Sequence, residues 1–128
     1  MNLPEDDAEY LRDKGLTWEL LPDGSGGCLV MKNFEVSADI YDRAQTDLMI
    51  RIPQGYPMAA LDMFYVDPPL KLKNGSYPQA ATVFEDHAGR KWQRFSRHLN
   101  DANSPWQGGV DGIRSFLALV TRELRPKG

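Results

Sequence analysis

The spacing of apolar and polar positions changes along the chain, and each change marks an element. Leu3, Asp7, Tyr10, Leu11 and Lys14 follow a helical period with only a narrow apolar stripe. That spacing predicts a short, mostly exposed helix over Leu3–Lys14. Pro4 suits the first helical position, the acids Glu5, Asp6 and Asp7 complement the N-terminal dipole, and Gly15 is a stop. Strand signals come next. Thr17–Leu21 and Cys28–Met31 flank the turn cluster Pro22-Asp23-Gly24-Ser25-Gly26-Gly27 and predict a hairpin. Lys32–Arg43 reads as a loop anchored by Phe34, Val36 and Ile40. In Thr46–Ile52, Leu48, Ile50 and Ile52 fall on one face and Met49 and Arg51 on the other. Leu61–Val66 is a fourth strand, stopped by Asp67-Pro68-Pro69.

Beyond Leu70 the pattern weakens. Leu70–Asn103 predicts an irregular segment, in which Thr82-Val83-Phe84 and Lys91–Phe95 can pair around His87-Ala88-Gly89-Arg90. The period then returns to 3.6. Ile113, Phe116, Leu117, Val120 and Leu124 form one stripe of an amphipathic helix, with Asp111 as its expected N-cap and Pro126 beyond its end. Helices and strands are segregated. The expected class is therefore α+β: an N-terminal helix, a four-stranded antiparallel meander, an irregular segment and a C-terminal helix, all in one domain spanning 1–128.

Composition narrows the chemistry more than the fold. Apolar residues make up 41% and charged residues 26%, which excludes collagen-like and disordered classes. The net charge of −3 argues against nucleic acid as a general partner. No apolar run approaches the ~18 residues of a membrane span, and the acidic start MNLPEDDAEY lacks an apolar leader, so a cytoplasmic protein is expected. One cysteine excludes an intramolecular disulfide and a multi-cysteine zinc site. Cys28 stands in a strand with no base beside it in the chain, so it reads as a buried hydrophobe. His87 reads as a solvated turn residue, and His87 and His98 match no ligand spacing, so no metal or cofactor is expected. Arg90, Lys91, Arg94 and Arg97 crowd into eight residues interleaved by Trp92 and Phe95. This run fits a structural network, a protein-binding surface or, less well, a nucleic-acid platform.

The order of elements, the run Pro53-Gln54-Gly55-Tyr56-Pro57 between two strands, the Pro68-Pro69 turn, and Trp106 ahead of the last helix resemble the ubiquitin-conjugating (UBC) superfamily. The run from Trp92 to His98 resembles that of its bacterial UBC-like branch, prokaryotic E2 family E. The resemblance implies the UBC fold and a ubiquitin-like protein, or an activating-enzyme-like protein, as partner. Two features depart from it. Asp67-Pro68-Pro69-Leu70 replaces the family's His-Pro-Asn turn, and Trp92 falls about where the active cysteine would be. No catalytic residue can therefore be carried over. The expected function is a noncatalytic UBC-like binding domain, with Arg90, Trp92, Arg94, Arg97, His98 and Trp106 as its contact residues. The alternatives are an active transferase with an unrecognised nucleophile and a nucleic-acid-binding module.

Overall fold

A computed structural model describes residues 2–97 and 105–126. In chain order the elements are α1 (Glu5–Asp13), β1 (Trp18–Asp23), β2 (Gly26–Glu35), β3 (Gln45–Ile52), β4 (Phe64–Asp67), β5 (Val83–His87), β6 (Arg90–Phe95) and α2 (Ile113–Leu124). The strands form one antiparallel sheet of order β1-β2-β3-β4-β6-β5. The α+β class and the meander stand, but the sheet has six strands. The hairpin inside the expected irregular segment is longer than its apolar run, and its second strand, β6, docks on β4, so β5 becomes the new edge of the sheet. Its turn is Ala88-Gly89, both at positive φ (50° and 78°), the twist a two-residue hairpin needs.

Polar residues hide strand ends from periodicity. β2 runs on through Lys32 to Glu35, with a register shift between Met31 and Phe34. Asn33 takes φ 53° there, and its N–H donates to Asp47 Oδ1 at 3.0 Å. Asp111 is not the N-cap of α2: Gly112 is, with its N–H donating to Ser115 Oγ at 3.0 Å. A Cβ on Gly112 would lie 2.9 Å from the Tyr56 hydroxyl, so the close approach selects glycine.

Both helices pack on one face of the sheet. Leu48, Ile50 and Ile52 meet Phe116, Leu117 and Val120 in the main core, all buried. Tyr56 ties the helices together: its hydroxyl donates to Asp7 Oδ2 of α1 (2.7 Å) and accepts from the N–H of Ile113 in α2 (2.9 Å). Tyr56 itself is half-buried. On the opposite face Cys28, Val30, Met49, Tyr65 and Trp92 form a second, smaller cluster. The sheet curls around it, so that Asp23 at the end of β1 and His87 at the end of β5 come within 3.3 Å, although those strands are outermost at opposite ends of the sheet.

Candidate functional site

β6 alternates two environments. Gln93 and Phe95 point to the helix side, where Gln93 is fully buried and has three partners. Its amide donates to the carbonyls of Leu70 (3.0 Å) and Ala81 (2.9 Å), and its oxygen accepts from Leu70 N–H (2.7 Å). A buried amide satisfied in this way pins the irregular chain ahead of the hairpin at two points, Leu70 and Ala81. No sequence signal marked the partners of Gln93.

Arg90, Trp92 and Arg94 alternate with these on β6. Arg90 donates to Asp67 Oδ2 from Nε (3.0 Å) and Nη2 (2.9 Å), and to Asp47 Oδ2 at 3.2 Å. Its guanidinium also lies 4.4 Å from the Trp92 ring centroid. Burial alone would raise Asp47, but the Asn33 N–H and Arg90 hold it below its ordinary value. Arg94 donates to Glu85 Oε2 at 2.7 Å. Glu85 behaves similarly: burial would raise it, and hydrogen bonds from His87 and Arg94 bring it below its ordinary value. Arg97 forms a fork on Glu123 of α2, with Nε at 2.6 Å and Nη2 at 2.9 Å.

The expected contact residues therefore part company. The three arginines all pair with carboxylates of their own chain. Trp92 is fully buried, its indole N–H donating to the His87 carbonyl at 3.0 Å, so it offers no contact surface. His98 lies outside the described residues. Trp106 sits apart from the arginines, half-buried beside Tyr56, its N–H on the Pro57 carbonyl at 2.9 Å. Two exposed apolar side chains belong to the same region: Met58 follows Pro57, whose carbonyl accepts the Trp106 N–H, and Val110 lies four residues after Trp106. Met58 and Val110 are 72% and 78% exposed, and Met58 lies against the backbone of Gly108.

Cys28 is buried, as its strand position predicts. Desolvation and the neighbouring Asp23 push its thiol up to about 11. His87 is not a solvated turn residue. Its ring is wedged between Asp23 (Nδ1, 3.3 Å) and Glu85 (Nε2, 2.9 Å), with the Tyr65 ring 5.3 Å away. The curl of the sheet thus places Asp23 and His87 beside a cysteine that has no base near it in the chain.

The model of prokaryotic E2 family E matches residues 3–127. The chain belongs to this family. No curated protein and no solved structure matches it. Family membership makes this a domain related to ubiquitin conjugation, and E2-like domains interact with ubiquitin-like proteins or related enzymes. Within the E2 framework the two departures take physical form. Asp67 and Pro68, in place of His-Pro-Asn, are fixtures of the sheet: Asp67 receives Arg90, and the Pro68 carbonyl accepts from Thr46 Oγ1 at 2.7 Å. Trp92, near the expected cysteine position, fills the second cluster. Among the described residues no helix is long and apolar enough to cross a membrane.

Proposed function

We propose that this E2-like domain is noncatalytic and acts by binding a ubiquitin-like protein or a partner enzyme of the same pathway. The observation that carries this reading is the burial of Cys28, the single cysteine of the chain, at 0% exposure. Thioester exchange needs a thiolate that an activated carboxyl terminus can reach. Cys28 offers no surface, and its raised pKa keeps it protonated at neutral pH.

The contact surface we assign to this role is centred on Trp106, with Met58 and Val110 beside it. Exposed apolar side chains around a half-buried tryptophan have the composition of a binding hot spot. Arg90, Arg94 and Arg97 serve it indirectly, by fastening the β5–β6 hairpin and the chain after it. The test is capture of the pathway's ubiquitin-like protein or activating enzyme by the immobilised domain. Trp106→Ala together with Met58→Ser should weaken capture by about tenfold or more, as loss of a hot spot does, with the circular dichroism spectrum unchanged. Undiminished capture by a folded double variant would remove the assignment.

A further inference from the structure

Beyond this reading, we infer that Asp23, Cys28 and His87 form a binding site for a thiolate-seeking divalent cation of the zinc class. One ligand atom from each of the three lies within 4.8 Å of the others. Cysteine sulfur and imidazole nitrogen select Zn²⁺ among the common divalent ions, and a carboxylate completes a mixed set. Three protein ligands leave a fourth position for water.

The geometry supports the site at three points. First, His87 Nδ1 and Asp23 Oδ2 are 3.3 Å apart. Zn–N and Zn–O bonds of about 2.0–2.2 Å at a tetrahedral angle put such ligands about 3.3 Å apart, so this edge is already formed. Second, the far nitrogen of His87 is 2.9 Å from Glu85 Oε1, and Arg94 holds the other oxygen of Glu85 at 2.7 Å. With Nε2–H donated to the Glu85 carboxylate, an ion bound between His87 and Asp23 takes the Nδ1 lone pair. Third, Arg51 donates to Asp23 Oδ2 from Nη2 at 3.1 Å and from Nε at 3.2 Å, which fixes in place the same oxygen that faces His87 and leaves Oδ1 of that carboxylate free of Arg51. Each polar ligand thus has an outer partner.

The site joins distant parts of the chain. Asp23 ends β1, Cys28 lies in β2 and His87 ends β5. An ion there clips together the two outermost strands of the curled sheet, which share no backbone ladder. It also gives the buried thiol a use that thioester chemistry does not: the ion displaces the thiol proton and binds the sulfur as thiolate. The signal was hidden in the sequence, because ligand spacings of 5 and 59 residues match no zinc pattern and the third ligand is set by the hairpin turn.

The test uses the full chain, stripped with a chelator and titrated with cobalt(II) chloride. The expected result is one equivalent bound, with a thiolate-to-cobalt charge-transfer band in the near ultraviolet that zinc(II) chloride abolishes. Cys28→Ser should lose the band. His87→Gln and Asp23→Asn should bind at least about tenfold more weakly, and the outer-partner variant Glu85→Gln about tenfold more weakly. Zinc should also raise the thermal midpoint of the native chain, which requires no variant to fold. A native chain that shows neither the band nor a raised midpoint, even when refolded from denaturant with the metal present, overturns the site. So does binding of unchanged strength in folded His87→Gln and Asp23→Asn.

Discussion

The two faces of the sheet are held by different physics. The helix-covered face is a continuous apolar core in which Leu48, Ile50, Ile52, Phe64 and Phe95 meet the stripe of α2. The opposite face has five buried residues ringed by charge: Asp47 and Asp67 on Arg90, Glu85 on Arg94, and Asp23 on Arg51. On the first face non-directional burial does the work, and many aliphatic residues would serve. On the second, hydrogen-bond geometry fixes which side chain stands where. That difference explains why the arginine-rich hairpin resembles a binding surface in sequence and behaves as a fastening in the structure.

The largest expected effects test whether the small cluster is a true core. Leu117→Ala on the helix side should cost about 2–5 kcal/mol, and Trp92→Ala on the other face about 3–5 kcal/mol. Both can be measured by urea denaturation. A cost near zero for Trp92→Ala would reduce the second face to surface decoration. Next comes Arg90→Ala, which leaves Asp47 and Asp67 facing each other without their shared cation. Their partial exposure limits the loss to about 1–3 kcal/mol. Added salt should narrow the gap between this variant and the native chain, because screening weakens the pair it lacks.

Smaller effects sharpen the contrast. Tyr56→Phe removes the hydroxyl that joins Asp7 to the first N–H of α2, and should cost about 1 kcal/mol. An unchanged thermal midpoint would mean that water replaces the hydroxyl without loss. The smallest effect lies in the acid limb of stability. The folded-state pKa of Glu85 is below its ordinary 4.5, so its stabilising contribution is complete above that value. It is lost as pH falls through the lower folded-state value. Glu85→Gln should therefore flatten stability against pH below about 4.5. A native-like acid slope in the variant would show that other carboxylates carry it.

How much could be read in advance follows the same division. The period of Leu48, Ile50 and Ile52, and that of Ile113 to Leu124, reports burial on one face, and both stripes lie in the core as their spacing implies. The Tyr56 corner and Trp106 were visible as motifs that resemble the family's, whereas their partners Asp7, Ile113 and Pro57 lie about fifty residues away and carried no signal. The hairpin was visible only in part, because Glu85, Arg90 and Arg94 look solvated until their partners are known. Gln93, His87 and the approach of Asp23 to Cys28 had no local signal. Each depends on contacts between separate segments, the loop ahead of β5 for Gln93 and the curled ends of the sheet for the other two, and periodicity carries no information about such pairs.

On the noncatalytic reading we propose, burial holds Cys28, the single thiol of this E2-like domain, out of reach of conjugation chemistry. The direct measurement is to incubate the domain with the activating enzyme and ubiquitin-like protein of its pathway and ATP, then resolve the products on a non-reducing gel. No reducible adduct is expected on the domain, with the activating enzyme itself charged in the same lane. A reducible adduct on the native chain that disappears in Cys28→Ser would contradict that reading and make Cys28 the nucleophile of an active transferase.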